Sequence, residues 1–381
     1  MPHHNSLFHA MLKLLPWDEF EAAVVRHGVA RTTRGFSFPS QLVAMLYAQL
    51  SGAGSLRAIE TGLRSQANRL YHLGVRPPRR SSLADANRHR PAAVFSDLLG
   101  VLIQQAHRGL RRRLDGATYL IDSTSLALNA RSASWGRFSA AACGAKLHIV
   151  YDPDADCPIY AAVSTAKVND ITAAQAMPVT AGATYVFDLG YYDYAWWARL
   201  DAAGCRIVTR LKRNTPLAIS ETRPVATDGA ILSDRIGTLP ARQAHSRRNP
   251  FDKPVREVLV RIDSGKILRL LTNDLTALAQ EIADLYKRRW AIELFFRWVK
   301  QTLKITRFVG TSDNAVRIQI AVALIAFLLL RLAQKTQAAI TSPLTFARLV
   351  SLNLMHCRAI TQLLAPPTPP PKSDPRQAVL L

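Results

Sequence analysis

Acidic residues are scarce in this 381-residue chain, in which 27 Asp and Glu stand against 49 Lys and Arg. The formal net charge of +22 argues against an ordinary metabolic enzyme and favours a polyanionic partner. Nucleic acid is the first candidate, because each Lys or Arg that contacts a phosphate releases a counterion. A membrane-surface protein can also be basic, but here the arginines are spread along the chain and do not gather on one amphipathic helix.

Cysteine is also rare. The four cysteines show neither the paired spacing of a zinc site nor a dense disulfide framework, so we expect reduced thiols in a cytoplasmic protein. The first residues lack the charged segment, apolar run and cleavage site of a secretory signal. The most apolar segment, residues 318–330, is shorter than the ~20 residues that a bilayer requires, and Gln319 interrupts it. We therefore predict a buried helix and no membrane partner.

The amino-terminal third, residues 1–114, predicts a helical domain. Pro16 and the acids after it suit a helix start, and Ser55 is placed to cap a helix that follows a glycine-containing break. Helix, break and helix, with arginines nearby at Arg57, Arg64 and Arg69, are compatible with a DNA-reading helix-turn-helix. A helical scaffold with solvated arginines remains the alternative. The arginines at 108 and 111–113 lead into Gly116, where we place the domain boundary.

Two apolar, β-rich runs each carry an aspartate at their end. Residues 118–124 contain Asp122, and residues 184–192 contain Asp188 followed by a glycine. Mostly apolar runs are typical of central strands, where an unpaired carboxylate is costly. Either Asp alone is equally well explained as a structural turn cap. Two strand-ending aspartates, however, favour the crevice where an α/β sheet opens its active site.

Residues 286–300 contain no Pro or Gly and predict one amphipathic helix. At about 100° per residue, one arc of roughly 60° collects four polar side chains, Tyr286, Arg289, Glu293 and Lys300. Most such stripes are simply solvated helix faces. Combined with the two aspartates, Glu293 completes a three-carboxylate cluster of the hard oxygen ligands that Mg²⁺, or Mn²⁺, prefers.

Such a cluster suits the cutting and rejoining of phosphodiesters. Two metal ions about 4 Å apart can activate a water or a 3′-hydroxyl on one side and stabilise the leaving oxygen on the other. Arg289 and Lys300, one on each side of Glu293, would hold phosphates, and Tyr286 would bond a phosphate or stack on a base. Lys146 and His148 are weaker candidates, since a satisfied surface pair explains them at least as well.

The motifs around these residues resemble a known family. Asp122 in Ile-Asp-Ser-Thr, Asp188 in Phe-Asp-Leu-Gly-Tyr and the Tyr/Arg/Glu/Lys spacing of the stripe resemble, in order, the catalytic blocks and YREK signature of DDE transposases of the insertion-sequence-4 family. The resemblance covers roughly residues 115–335. It implies an α/β fold with an RNase H-like mixed sheet flanked by helices, a β-rich insertion and an amino-terminal all-helical domain. It also implies cleavage at transposon ends and strand transfer into double-stranded target DNA by a complex that is at least a homodimer.

The remaining segments complete the expected organisation. The catalytic domain would occupy residues 115–338, with the insertion at about 206–273 and strands at 206–211, 255–263 and 266–272. In some relatives a tryptophan of the insertion traps a flipped base, but residues 206–273 contain one aromatic, Phe251, so no clamp is assigned. A carboxy-terminal helix at 339–365 would precede a proline-rich, disordered tail at 366–381.

Two further alternatives concern metal and function. The acidic segment 152–156 suggests calcium, but it lacks the Gly and the distal Glu of an EF-hand, so we predict a hairpin turn. The catalytic acids and the basic stripe are shared by a transposase and by a related nuclease that cuts without joining. A DNA-binding relative with a degenerate site is the non-enzymatic alternative. The expected location is the bacterial cytoplasm, in association with the nucleoid.

Overall fold

The computed structural model describes residues 6–27, 35–70, 74–110, 116–242, 248–303, 305, 307–336, 340 and 342–357. Within them, a mixed sheet of nine strands has helices packed on both faces, and a helical region precedes it. The predicted fold class, an RNase H-like mixed sheet flanked by helices with an amino-terminal helical region, is confirmed.

Local sequence sets the ends of the amino-terminal helices. These are α1 (Leu7–Leu12), α2 (Trp17–Arg26), α3 (Phe38–Ser51), α4 (Leu56–Ser65), α5 (Ala67–Leu70), α6 (Arg80–His89) and α7 (Ala92–Leu110). Pro16 precedes α2, whose first turn carries Asp18 and Glu19, where acids complement the helix dipole. The hydroxyl of Ser55 accepts the Ala58 N–H (3.1 Å), so α4 begins where the sequence predicts.

Three parallel strands lie at the centre of the sheet. The strands are β1 (Thr118–Leu128), β2 (Cys143–Asp152), β3 (Cys157–Thr165), β4 (Thr184–Val186), β5 (Arg206–Arg210), β6 (Ala218–Arg223), β7 (Ile231–Thr238), β8 (Val255–Arg261) and β9 (Ile267–Thr272). Their order is β3-β2-β1-β4-β5-β9-β8-β7-β6. β1, β4 and β5 are parallel, and the other neighbouring pairs are antiparallel.

The first strand is longer than its apolar run predicts. Its pairing with β4 ends at Leu120, opposite Val186, but its pairing with β2 continues to Leu128. Asp122 therefore lies within β1 and not at its end. Because β4 stops early, one side of β1 is open from this residue onward.

The β-rich insertion continues the main sheet. β5 pairs in parallel with β4, so the run that begins at Arg206 belongs to the central sheet, and β9 joins the insertion strands to it. The predicted start of the insertion at 206 is therefore too early. The sequence also gave no indication of β6 or β7. β6 is an edge strand and is almost wholly exposed, so it carries no apolar alternation to reveal it.

The polar stripe lies on two helices. The helices after the amino-terminal region are α8 (Ala133–Gly136), α9 (Asp170–Gln175), α10 (Tyr194–Ala202), α11 (Ala279–Arg288), α12 (Trp290–Thr302), α13 (Asp313–Lys335) and α14 (Pro343–Asn353). The single helix predicted for 286–300 is wrong at Arg289, where α11 ends and α12 begins. The Arg289 N–H donates to Tyr286 and the Ile292 N–H to Arg289, three residues back, which tightens the helix locally. Arg289 keeps right-handed helical angles, so the path continues.

The apolar helix α13 joins the helical region to the sheet. It is the one described helix long and apolar enough to span a bilayer, but 83% of its most apolar window is buried inside the protein. The predicted buried helix is confirmed, although it is longer than its apolar run. Asn314 donates to the Asn87 carbonyl (3.1 Å) and accepts the Ala92 N–H (3.0 Å), which ties α13 to α6 and α7.

The carboxy-terminal helix α14 is shorter than predicted. It ends at Asn353, because the carbonyls of Leu354 and His356 accept the N–H groups of Phe8 (2.8 Å) and Leu7 (3.0 Å) at the start of α1. Residues 358–365 and the proline-rich tail at 366–381 lie outside the described residues, as do the arginines at 111–113.

Candidate active site

The three parallel strands bring charged side chains to one level of the sheet. Leu120 pairs with Val186, and Val186 pairs with Val208. Two residues after each of these paired residues come, in the same order, Asp122, Asp188 and Arg210. Residues two apart share a face of a strand, and the three apolar residues belong to the core that α12 also enters. The charged residues are therefore expected on that same face, toward α12.

Glu293 approaches this level from the first turn of α12. Ile292 and Phe296 bury the apolar side of the helix, as its periodicity predicts. The guanidinium of Arg289 lies between the acids, 2.5 Å from Glu293 Oε1 and 3.3 Å from Asp122 Oδ2. Strand and helix thus bring Asp122 and Glu293 together through one shared cation.

The electrostatics of Asp122 show how closely the acids are coupled. Burial raises the pKa of Asp122 to about 6, and the negative charges of Asp188 and Glu293 contribute in the same direction. The Ser123 N–H and Arg289 act against them. Burial alone would lower the pKa of Arg289, yet its anionic neighbours raise it overall. The three acids therefore carry more negative charge than Arg289 and Arg210 together balance.

The donor set fits a hard divalent cation. Carboxylate oxygens are the ligands that Mg²⁺ and Mn²⁺ prefer. In the part of the chain that the structure describes, however, no three His, Cys, Asp or Glu side chains are arranged to hold a metal ion. Arg289 stands between two of the three acids. It would have to move away before both could coordinate one cation.

The other two residues of the stripe differ in exposure. Tyr286 is 8% exposed, and its ring lies 5.8 Å from the Arg289 guanidinium. Burial raises the pKa of Tyr286. Lys300 is half-buried, burial lowers its pKa, and it has no ion pair or hydrogen bond within the described residues. Lys300 is thus a cation without an ion pair among the described residues, whereas Tyr286 packs beside Arg289.

Arg210 is a site residue that the sequence reasoning missed. Its Nε atom is buried without a hydrogen-bond partner, and its charge lies close enough to Tyr286 to affect that residue's pKa. The signal was present: Arg210 stands four residues after Arg206, as Asp122 stands four after Thr118 and Asp188 four after Thr184. Aligning the three β-rich runs would have placed it beside the acids.

Family comparison agrees with this geometry. A family model described as the transposase DDE domain matches residues 114–329, more than half of the chain. The chain belongs to the DDE transposases. It is therefore an enzyme that acts on DNA by polynucleotidyl transfer. A second model, a domain of unknown function (DUF4372), matches residues 3–76.

Relatives of the transposase are also named as transposases, two of them for insertion-sequence elements. It is 39% identical over 293 residues to a protein of Sinorhizobium fredii named as transposase y4zB, covering 76% of this chain and 81% of the relative. It is 28% identical over 336 residues to a Geobacillus stearothermophilus protein named as the transposase of element IS5377, covering 87% and 85%. Over 53 residues it is 43% identical to a Synechocystis protein named for element IS4SA, covering 14% and 16%. The predicted resemblance to insertion-sequence-4 transposases is confirmed.

Lys146 and His148 of the transposase lie on β2, beside the strand of Asp122. Lys146 Nζ is 3.1 Å from Asp170 Oδ1, which also accepts the Ser123 hydroxyl (2.6 Å). His148 is fully buried, and its Nε2 lies 2.8 Å from the Ser164 hydroxyl. Lys146 is thus a satisfied pair, whereas His148 is no surface residue. Asp170, at the start of α9, connects these side chains to Ser123.

The acidic hairpin of the transposase is a turn, as predicted. Asp152 Oδ1 accepts the N–H groups of Asp154 (2.8 Å) and Ala155 (3.0 Å). Each of its three acids pairs with a basic side chain from a different helix, in the pairs Asp152–His107, Asp154–Arg288 and Asp156–Arg331. These pairs use the carboxylates to hold α7, α11 and α13 against the sheet, which argues against the calcium alternative.

The three arginines predicted to read DNA differ in whether their side chains already have partners within the protein. Arg64 pairs with Glu60 (2.9 Å), and Arg69 donates to the Met355 carbonyl. Arg57 is exposed and has no ion pair within the described residues. In the insertion, Phe251 is 3% exposed and packs in the core. It therefore offers no base-trapping aromatic surface, in agreement with the sequence.

Proposed function

We propose that this transposase cleaves DNA at the 3′ ends of its element and joins those ends to target DNA, in a cut-and-paste reaction. The observation that carries the proposal is the single guanidinium of Arg289 shared by Asp122 and Glu293, with Asp188 at the same level of the sheet. The three acids outnumber the two cations at this level, Arg289 and Arg210, so an excess of negative charge remains that would attract Mg²⁺ or Mn²⁺, two ions in the proposed site. Such ions would activate the attacking oxygen and stabilise the leaving oxygen.

The cations around the acids would position the DNA. Arg289, once it leaves the carboxylates, offers a planar guanidinium for bidentate contact with a phosphate. Lys300 and Arg210 have no ion pair among the described residues, so both are free to bind phosphates. Tyr286 would bond a phosphate or stack on a base after a local change in packing. Removing these groups would weaken DNA binding without removing the metal ligands.

The proposed reaction at two element ends requires a complex of the protein with DNA. The substrates would be the double-stranded inverted repeats at the element ends and the target duplex, held by at least a homodimer in the bacterial cytoplasm and nucleoid. We assign DNA binding to a helical domain at residues 1–114, with Arg57 as an exposed cation that has no ion pair among the described residues, and catalysis to residues 115–338.

The decisive experiment is Glu293→Gln. The amide is nearly isosteric and can still accept a hydrogen bond from Arg289, but it is a poor metal ligand. We expect loss of Mg²⁺-dependent cleavage of a labelled duplex carrying the terminal repeats, with DNA binding by anisotropy largely intact. Glu281→Gln is the matched control, because Glu281 lies on α11 and pairs with Arg206 outside the cluster. Normal cleavage by folded Glu293→Gln would sink the assignment.

The same assay separates the alternative functions. Wild-type protein that cuts and also joins the labelled end to a second duplex is a transposase in the full sense. Cutting without joined product would identify a nuclease, and binding without cutting would identify an inactive relative.

A further inference from the structure

Tyr191 approaches the acids from the opposite face of the sheet. It closes the short 3₁₀ turn Leu189–Tyr191 directly after Asp188 and is 1% exposed. Its ring packs edge-on against Phe187, with centroids 6.0 Å apart, and beside Trp196 at 6.1 Å. The Tyr191 carbonyl accepts the indole N–H of Trp197 (3.0 Å). The ring is therefore held in place by its neighbours.

The hydroxyl of Tyr191 is buried and has no hydrogen-bond partner. It lies within electrostatic reach of Asp122, Asp170 and Asp188. The Ser123 hydroxyl is near enough to affect the pKa of Tyr191, but the two hydroxyls do not meet in hydrogen-bond geometry, and Ser123 donates its own hydrogen to Asp170. Because a buried O–H without an acceptor is costly, its retention beside three acids calls for a functional explanation.

The neighbouring acids already use oxygens elsewhere. Asp122 Oδ1 accepts the Ser123 N–H (2.8 Å), and Asp188 Oδ1 accepts the Gly190 N–H (2.8 Å). Asp170 Oδ2 and Asp188 Oδ1 lie 3.3 and 3.0 Å from the point where a Cβ on Gly190 would stand. A side chain at Gly190 would thus crowd both carboxylates. This close packing fixes the acids around the hydroxyl without giving it an acceptor.

We propose that Tyr191 donates its hydroxyl hydrogen to an oxygen atom that binds in the carboxylate cluster, either a water on a bound metal ion or a phosphate oxygen of DNA. The inference rests on the proposed function and deepens it by adding a neutral donor to the site. A fixed donor beside the acids orients an oxygen ligand, as partners of metal-bound groups commonly do. Beyond Leu120, β1 has no strand partner on the β4 side. An oxygen atom bound in that gap would contact the carboxylates on one face of the sheet and the Tyr191 hydroxyl on the other.

Tyr191→Phe tests this inference, because it removes one atom and keeps the ring. We expect the melting temperature in EDTA to rise by about 2 °C, since an unpaired buried hydroxyl is lost. If the acceptor is a metal-bound water, Mn²⁺ affinity measured by calorimetry without DNA falls about tenfold. If the acceptor is a phosphate oxygen, Mn²⁺ affinity is unchanged and the anisotropy-measured affinity for the terminal-repeat duplex in Ca²⁺ falls several-fold.

Tyr185→Phe is the matched control. Tyr185 is equally buried, but its hydroxyl accepts the Thr180 N–H (2.8 Å) at the far end of β4. Its loss should lower the melting temperature and change neither affinity. A lower melting temperature for Tyr191→Phe would show that its hydroxyl already has a structural partner, and would overturn the inference. Unchanged affinities in both titrations would overturn it as well, whereas wild-type protein that binds no Mn²⁺ would contradict the proposed metal site together with it.

Discussion

Two groups of three acids lie at different places on this sheet, and both invite a metal interpretation from sequence alone. In the hairpin, Asp152, Asp154 and Asp156 each pair with a basic side chain of their own. In the catalytic cluster, Asp122 and Glu293 share Arg289, and the pKa of Asp122 is raised to about 6. Matched acids hold helices together, whereas acids in excess of their cations are ready to take a further positive charge. The two groups contain the same number of acids, and they differ in whether each acid has a basic partner of its own.

The largest expected difference between the two groups is in catalysis. Asp188→Asn should slow Mg²⁺-dependent cleavage of a terminal-repeat duplex by a thousandfold or more, about 4 kcal/mol in the barrier, because it removes a proposed metal ligand. Asp154→Asn should change the rate less than about twofold, since it breaks one exposed ion pair. Single-turnover cleavage measures both. Similar losses in the two variants would erase the distinction between the groups.

Replacing one acid of each group by Asn should change the free energy of unfolding in opposite directions. The folded pKa of Asp122, about 6, lies above its ordinary value, so the ionised group destabilises the metal-free fold above pH 6 and the penalty is relieved as pH falls toward 4. Asp122→Asn should therefore gain about 2 kcal/mol at pH 8 in EDTA, with Arg289 still paired to Glu293.

Ionised Asp152 should stabilise the fold, whereas ionised Asp122 destabilises it. Burial alone would raise the pKa of Asp152, but hydrogen bonds from His107 and two backbone N–H groups lower it overall. Its stabilisation is present above about pH 4 and lost as pH falls through the folded pKa. Asp152→Asn should lose about 2 kcal/mol at pH 8, and the loss should fade in acid. Urea unfolding at pH 8, 6 and 4 measures both variants. Changes of the same sign at pH 8 would contradict the comparison.

The features that could be predicted from the sequence are those that a local pattern of apolar and polar residues determines. The strands of Asp122 and Asp188 were predictable because central strands are continuous apolar runs, and the stripe of Glu293 because helical periodicity collects it on one side. Arg210 and Tyr191 were not predicted. Arg210 is recognised only when the three β-rich runs are aligned with one another, and Tyr191 reaches the acids through the packing of the turn after Asp188. The tightening at Arg289 was also missed, since no Pro or Gly marks it.

The same comparison can be made between two lysines, one without an ion pair in a half-buried position and one on the exposed surface, and we expect a smaller effect, on DNA binding. Lys300 is half-buried without an ion pair in the described part of the chain, whereas Lys287 on α11 is exposed. Lys300→Ala should weaken binding of the terminal-repeat duplex several-fold and lower the slope of log affinity against log salt by about 1, because one phosphate contact is lost. Lys287→Ala removes the same charge from the exposed surface of the neighbouring helix and should leave the slope unchanged. Equal slopes in the two variants would mean that net charge alone drives binding, and Lys300 would then have no phosphate of its own.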